Sequence, residues 1–291
     1  MPKSLNITDK MVLGTVQFGM DYGIANIGGK LTKKEVFGIL DLAWKKGIRR
    51  FDTAPSYGSE EILGEFIVAN GLQDEVIILT KISSLDGASD YQQRIRTILE
   101  SSLKNLGCSF DVLFFHNPAD SELLLNDPQF FEKLLCEYPV STLGISVYEP
   151  QEVETLSGCE FELAFQFPYN VLDRRFEQVN MPKGKRYARS VFLQGILASK
   201  NSLRRDAPTA LLALQNNYHT KLAKYDLNPV QFALSFVAVA KNIDYFLVGV
   251  DTVGQLSGIL NNELLQQQQI NVIKSFCFEF DEKWLDPRKW N

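Results

Sequence analysis

The sequence has few of the residues that hold metal ions or disulfide frameworks. It contains two histidines, His116 and His219, and four cysteines that lie far apart and form no C-x-x-C pair. Structural metal sites and disulfide scaffolds need such residues at short, repeated spacings. The pattern therefore predicts reduced thiols, no bound metal and a cytoplasmic protein.

Long apolar runs and an excess of basic residues are also missing. The longest mainly apolar stretch, FALSFVAVA at 232–240, is far shorter than the roughly 20 residues that cross a bilayer. The amino-terminal MPKSLNITDK lacks the apolar segment of a secretory signal. The formal charge of -5 argues against a nucleic-acid binder, which usually has a basic face. Neither a membrane nor a nucleic acid is expected as a partner.

What the sequence does contain is a repeated alternation of apolar runs and amphipathic stretches. Several runs are rich in β-branched and aromatic residues, which is typical of parallel strands buried on both faces. The predicted strands lie at 11–19, 48–54, 76–82, 111–117, 142–147, 161–167, 189–195 and 244–250. Helices are predicted over the apolar stripe 36–44, after Ser59, over 95–106 with Gly107 as its C-cap, and near 208–225 and 228–241.

Eight strands separated by helices are the pattern of a (β/α)₈ barrel. A doubly wound open sheet is the alternative, but no G-x-G-x-x-G follows the first strand. No Pro-, Gly- or Ser-rich linker divides the 291 residues. The sequence therefore predicts one (β/α)₈ barrel domain over 1–291, with 262–291 a tail that packs on or near the barrel.

Polar side chains close the apolar runs at their carboxyl ends. In a closed parallel barrel these ends meet at one rim, where barrel enzymes keep their active sites. Each side chain also has an alternative, purely structural explanation. It could cap a turn, extend a lysine to solvent, form a buried imidazole or pack a loop. Their recurrence on successive strands favours a site. The residues are Asp52, Lys81, His116, Ser146 and Gln166, with Tyr57 five positions after Asp52.

This set suits proton transfer to a carbonyl oxygen. A phenol has a pKa of about 10, and a neighbouring ammonium favours its ionised form and lowers that pKa. Asp52 would keep a buried Lys81 charged, and neutral His116 would hold the carbonyl oxygen against the Tyr57 hydroxyl. No side chain donates hydride, so a nicotinamide cofactor is implied.

The motifs GTVQFG, DTAPSYG, ILTK, LFFHNP, GISV and QFPYN, in this order, resemble those of the aldo-keto reductase family. The resemblance covers roughly residues 11–260 and implies a (β/α)₈ barrel that binds an extended nicotinamide dinucleotide at its carboxyl rim, without metal. It implies a catalytic set of Asp52, Tyr57, Lys81 and His116, with Tyr57 as general acid in reduction and general base in oxidation. The implied substrate is a small aldehyde, ketone or sugar, and the oligomeric state is left open.

The resemblance also implies a set of cofactor contacts. Ser146 and Gln166 match the positions that bind the nicotinamide carboxamide, and Arg189 stands where an aromatic ring often stacks on the nicotinamide. Val147 replaces an Asn found in many members. The remaining implied contacts are Gly14 and Thr15 on the first turn, Asp52 near the ribose, Gly195 over the pyrophosphate, and Gly249, Asp251 and Gln255 near the adenosine.

The adenosine end lacks the basic residues that many members direct at the 2′-phosphate of NADP. Asp251 would repel that phosphate and suits a free ribose hydroxyl better. The resemblance favours NADP(H), which the family usually binds, and NAD(H) is the alternative.

Two other functions stay open. One is a cofactor-bound barrel that acts mainly as a binding or sensing subunit with little turnover. The other is lyase or isomerase chemistry through a Schiff base on Lys81.

The loop 19–30, with Asp21, Tyr22 and Asn26, has two alternative interpretations: it borders the predicted substrate pocket, or it forms a surface turn.

Overall fold

A computed structural model describes residues 6–198, 203–265, 269–270, 276, 278 and 280–290. Cys277 and most of 266–279 lie outside the described residues, as do Met1–Leu5.

The described strands form a closed parallel barrel in chain order, with the first strand paired to the last. The (β/α)₈ prediction is therefore confirmed. The strands are β1 (Met11–Gly14), β2 (Arg50–Asp52), β3 (Ile77–Ile82), β4 (Phe110–Phe115), β5 (Val140–Ser146), β6 (Ala164–Pro168), β7 (Arg186–Arg189) and β8 (Tyr245–Gly249).

Helices pack around the outside of the barrel. The five helices predicted from the sequence are among them; Val36, Ile39 and Leu40 of the first predicted stripe are fully buried, and Gly107 ends its helix at φ 69°. The helices are α1 (Ile7–Lys10), α2 (Val16–Gly19), α3 (Lys33–Lys45), α4 (Glu60–Ala69), α5 (Tyr91–Leu106), α6 (Leu123–Asn126), α7 (Pro128–Glu137), α8 (Gln151–Glu154), α9 (Thr209–Ala223), α10 (Pro229–Ala238) and α11 (Val253–Leu260).

Two predicted strands differ most from the observed strands in extent. The first run, 11–19, leaves the sheet after Gly14 and continues as the short helix α2. The seventh strand is 186–189 rather than 189–195. Ser190, Leu193 and Gln194 have φ between 45° and 58°, which no strand tolerates, so the apolar SVFLQ is a buried loop.

The polar, helix-like sequence around His219 predicts that its side chain faces solvent, and this prediction is wrong. It is 6% exposed on α9, and its Nε2 lies 3.3 Å from the carbonyl oxygen of Ile196. The loop after β7 covers this face of α9, which the helix sequence alone does not show.

The barrel interior is a small hydrophobic cluster, separate from the larger one between strands and helices. Its members are Val12, Leu79, Val112, Phe114, Ala164 and Tyr187. Side chains on a strand alternate between two faces. The residues two positions further along each strand therefore also point into the barrel, one layer closer to the carboxyl rim.

The described part of the tail packs onto the protein. Leu285 and Trp290 are buried and belong to the larger hydrophobic cluster. The Trp290 indole donates a hydrogen bond to the carbonyl of Trp284 at 3.1 Å. None of the described helices has the length and apolar character needed to cross a membrane.

Candidate active site

At the carboxyl rim, the positions that point into the barrel are occupied by polar residues or by glycine. Alternation places them directly above the hydrophobic interior, which explains why polar residues end so many apolar runs. They are Gly14, Asp52, Lys81, Ser146, Gln166, Arg189 and Gly249 on the strands, with His116 just after β4.

Asp52 and Lys81 form a buried ion pair. The Lys81 Nζ lies 2.7 Å from Asp52 Oδ1 and 2.8 Å from the carbonyl oxygen of Thr53. The second carboxylate oxygen accepts a hydrogen bond from the Gln166 amide at 2.8 Å. Burial lowers the pKa of Lys81, and the Asp52 charge opposes this effect. Two further groups, the Thr53 carbonyl and the Gln166 amide on β6, thus hold the pair in place.

Tyr57 stands over this pair because of the turn that carries it. The segment Pro55–Tyr57 is a single 3₁₀ turn between β2 and α4. Gly19 packs against this turn so closely that a Cβ there would lie 1.8 Å from the Tyr57 carbonyl oxygen. The Tyr57 ring centroid lies 4.9 Å from the Lys81 Nζ and 5.9 Å from the His116 ring. The four residues singled out from the sequence are therefore neighbours in space.

The Tyr57 hydroxyl is kept protonated. Burial, followed by the negative charge of Asp52, raises the pKa of Tyr57 well above 10, and the Arg189 charge opposes this rise. The expected lowering of the Tyr57 pKa by Lys81 is not found, and burial and the Asp52 carboxylate determine the direction of the shift. At neutral pH the side chain holds its proton, which is the state a proton donor needs.

His116 is neutral at physiological pH. Burial, followed by the Lys81 charge, lowers the pKa of His116 from 6.5 to about 4. The neutral imidazole can donate one hydrogen bond without carrying a charge.

This lowered pKa predicts that acid weakens the fold. Between about pH 6.5 and about pH 4 an unfolded chain binds a proton at His116 that the folded protein does not, so unfolding is favoured as pH falls. As the pH falls from about 7.5 to about 5, we expect the unfolding free energy of His116→Gln to decrease less than that of the native protein. The two decreases should differ by on the order of 1 kcal/mol. Urea unfolding of both proteins at the two pH values measures this. Equal losses would contradict the buried neutral imidazole.

A cavity of about 920 Å³ opens above these residues. Asp52, Tyr57 and His116 line it, whereas Lys81 lies below its wall. The same cavity continues to the segment 249–262 that follows β8. Every residue named as a cofactor contact lines it: Gly14, Thr15, Asp52, Ser146, Gln166, Arg189, Gly195, Gly249, Asp251 and Gln255.

Three side chains in the cavity wall contain a buried polar atom without a hydrogen-bond partner among the described residues. They are Gln17 Oε1, Arg189 Nε and Asp251 Oδ1. Buried polar groups are nearly always satisfied by protein, water or ligand. An elongated molecule with polar groups spread along its length, such as a nicotinamide dinucleotide, fits this wall.

Two of the named contacts also hold the rim together. The Thr15 hydroxyl lies 2.9 Å from both the Asp52 carbonyl oxygen and the Ser59 hydroxyl, so it is already engaged. The Gln255 side-chain oxygen accepts a hydrogen bond from the Asp251 amide at 2.7 Å. Both residues therefore shape the cavity through their neighbours.

The loop 19–30 does border the cavity. Tyr22 and Asn26 line it, and Asp21 pairs with Arg204 at 2.9 Å. Gly195, at φ 94°, leaves the space for this loop, because a Cβ there would lie 2.4 Å from the Ala25 Cβ.

Sequence reasoning missed Tyr148. It lines the cavity, and its ring stacks with two guanidinium groups, that of Arg189 at 3.9 Å and that of Arg288 at 3.4 Å. An aromatic residue directly after the predicted strand 142–147 was the available signal. The contact with Arg288 depends on the path of the tail, which the sequence does not define.

The comparisons with known proteins agree with this geometry. The sequence profile described as "Aldo/keto reductase family" matches residues 10–277. The D-threo-aldose 1-dehydrogenase of Pseudomonas sp is 32% identical over 161 residues, covering 43% of this chain and 49% of that protein. The aldo-keto reductase YhdN of Bacillus subtilis is 29% identical over 165 residues, covering 53% of this chain and 50% of that protein. The chain thus spans about half the length of the curated relatives it matches.

A solved structure resembles the whole barrel. The glycerol dehydrogenase AKR11B4 from Gluconobacter oxydans aligns with a TM-score of 0.67, covering 90% of this chain and 89% of that chain at 21% identity. At this identity the likeness shows the fold alone. The family profile spans most of the chain, and the protein belongs to the aldo/keto reductase family.

Proposed function

We propose that the protein is an NAD(P)H-dependent oxidoreductase that reduces an aldehyde, ketone or sugar carbonyl to the alcohol, or catalyses the reverse reaction. The observation that carries the proposal is the position of Tyr57. Its ring lies beside His116 and 4.9 Å from the Lys81 ammonium, on the wall of a cavity large enough for a dinucleotide. Membership of the family supports the same chemistry.

In the proposed reduction, Tyr57 donates its proton to the carbonyl oxygen. The bound nicotinamide supplies hydride to the carbonyl carbon in reduction and accepts it in oxidation. Neutral His116 hydrogen-bonds the carbonyl oxygen and holds it near the Tyr57 hydroxyl. Lys81 stabilises the phenolate that remains, and Asp52 keeps Lys81 charged in its buried position. Ser146 and Gln166 at the same rim are the proposed contacts of the nicotinamide carboxamide.

The test is an assay of the purified protein with NADPH or NADH and a panel of aldehydes and sugars, followed by the absorbance of the reduced cofactor. Oxidation of cofactor that depends on the carbonyl supports the proposal. Tight dinucleotide binding with negligible turnover on every carbonyl would instead favour a binding or sensing subunit.

The Schiff-base alternative is disfavoured by the position of Lys81. Its side chain is 1% exposed, and Asp52 and the Thr53 carbonyl occupy its ammonium. A nucleophilic lysine must present a free amine to its substrate. The geometry supports a role for Lys81 behind Tyr57.

The far end of the cavity favours NAD(H), against the family habit of NADP(H). Asp251 Oδ1 is buried without a partner, and no lysine or arginine lines the cavity among the described residues of 249–262. A carboxylate accepts a hydrogen bond from a ribose hydroxyl and repels a phosphate. We therefore infer that Asp251 selects the cofactor with a free 2′-hydroxyl.

NADH is expected to bind at least about tenfold more tightly than NADPH. Asp251→Ser is expected to reduce this ratio toward one, because the repulsion of the 2′-phosphate is removed. Titration of cofactor fluorescence measures both dissociation constants. Asp74→Ser, an exposed acid just before β3 at the opposite rim, is the control and should leave the ratio unchanged. Tighter binding of NADPH by the native protein would overturn the assignment.

The substrate class is proposed from the family and from the names of its members. Relatives include a D-threo-aldose 1-dehydrogenase and the rat aflatoxin B1 aldehyde reductase member 2. A small-molecule carbonyl or sugar is accordingly the proposed partner. A cytoplasmic location and the absence of a nucleic-acid partner stay predictions.

A further inference from the structure

Arg189 is the one basic side chain among the described residues that line the cavity, with Asp52 and Asp251 as the acids. It ends β7 and points into the barrel above Tyr187. Asp52 cannot neutralise it, because both carboxylate oxygens are occupied by Lys81 and Gln166. With His116 neutral, the reacting end of the cavity has a net positive charge.

The Arg189 guanidinium has spare hydrogen-bonding capacity. It donates to the Val147 carbonyl at 3.2 Å and to the Ser190 hydroxyl at 3.4 Å. Its Nε is buried without a partner, and it has no ion-pair partner among the described residues. A guanidinium has five N–H donors in a planar fork that matches carboxylate and phosphate groups.

Arg288 is a second arginine at the same place, and its charge is neutralised. Both guanidinium groups stack on the Tyr148 ring. Arg288 forms an ion pair with Asp286 at 2.7 Å, whereas Arg189 forms none with a carboxylate in the part of the chain that the structure describes. A partly buried cation without a counter-charge is costly, so its presence in a ligand cavity points to an anion that arrives with the ligand.

The charge acts on the groups proposed to react. Burial is the main cause of the raised pKa of Tyr57 and of the lowered pKa of His116. The Arg189 charge opposes the rise at Tyr57 and adds to the lowering at His116. The Tyr22 hydroxyl accepts a hydrogen bond from Gln194 at 3.3 Å and keeps its own proton to donate.

We infer that the substrate carries an anionic group, a carboxylate or a phosphate, on the same molecule as the reacting carbonyl, and that Arg189 binds it with help from Tyr22. The inference rests on the proposed function and narrows its substrate class. A stacking role for Arg189 on the nicotinamide ring would act on every substrate alike. An anion subsite acts only on charged substrates, which separates the two roles.

The test compares kcat/KM for matched pairs of carbonyl compounds. The pairs are 3- and 4-formylbenzoate against their methyl esters, and glyceraldehyde 3-phosphate against glyceraldehyde. In at least one pair, kcat/KM for the charged compound is expected to be at least about tenfold higher than for the neutral compound. The benzoate and phosphate arms show which anion is preferred. An effect of Arg189 on cofactor binding changes both members of a pair equally and cancels in their ratio.

Arg189→Met is expected to reduce the charged-to-neutral ratio to near one, and Arg189→Lys to retain part of it. Arg288→Met removes the other guanidinium on Tyr148 and should keep the ratio. Thermal unfolding of each variant shows that it is folded. A native ratio near one, or a high ratio that survives Arg189→Met, would overturn the inference while leaving the reductase assignment intact.

Binding provides a second readout that does not need turnover. Phthalate is expected to raise the thermal midpoint of the cofactor-saturated native protein more than phthalamide does, and Arg189→Met should remove the difference. If no carbonyl in the panel is reduced, the proposed function fails. Equal effects of phthalate and phthalamide would then refute the anion subsite independently.

Discussion

Replacing Tyr57 with Phe is expected to lower kcat for carbonyl reduction by about 10²- to 10⁴-fold, the usual contribution of a positioned general acid. The substitution removes only the hydroxyl that would protonate the carbonyl oxygen. The ring keeps its contacts with His116 and the Lys81 ammonium, so the cavity stays intact. Cofactor affinity should therefore change by less than about threefold, which corresponds to under about 1 kcal/mol.

Steady-state kinetics and a cofactor fluorescence titration measure the two quantities on the same preparation. Tyr225→Phe is the matched control, because Tyr225 is 53% exposed and does not line the cavity. Its kcat should equal that of the native protein. Equal kcat for Tyr57→Phe and the native protein would remove Tyr57 from its proposed role.

The largest effect on stability is expected from breaking the buried ion pair. Lys81→Met leaves the buried Asp52 carboxylate without its cation, since Gln166 supplies only a neutral donor. Removing one partner of a buried pair typically costs about 3–5 kcal/mol. The unfolding free energy of Lys81→Met should fall by that amount, and catalysis should fall with it.

The double variant Asp52→Asn with Lys81→Met separates stability from catalysis. It removes both charges, so most of the lost unfolding free energy should return. Activity should not return, because the Lys81 ammonium that lies 4.9 Å from the Tyr57 ring is gone. Urea unfolding and kcat measured on all the variants make the comparison. A double variant as unstable as Lys81→Met would show that the pair does not act as a unit, and full activity would refute the role of Lys81.

Much of the site follows from the alternation of side chains along parallel strands. A polar residue two positions beyond a buried apolar one, such as Lys81 after Leu79 or Gln166 after Ala164, must point to the rim of the barrel. This rule needs no knowledge of loops. The positions of Asp52, Lys81 and His116 at the carboxyl ends of successive apolar runs predicted that they meet at one rim, before their distances were known.

The parts that were missed depend on loops and burial. The extent of β7 was wrong because the positive φ angles of Ser190 and Gln194 give the apolar SVFLQ no strand geometry. The contact of Arg288 with Tyr148 depends on where the tail returns. The pKa of Tyr57 was expected to fall, and it rises because burial and the Asp52 charge outweigh the opposing charge of Arg189. Composition and spacing do not report the depth at which a group is buried.

A single-turnover experiment tests the central claim most directly. Enzyme loaded with reduced cofactor that carries deuterium at the transferable position is mixed with a carbonyl compound, and product formation is followed for the native protein and Tyr57→Phe. The account predicts rapid formation of an alcohol with deuterium on its carbinol carbon by the native protein, and a rate at least about 10²-fold lower for the variant. Equal rates for the two proteins, or an alcohol without deuterium, would contradict it.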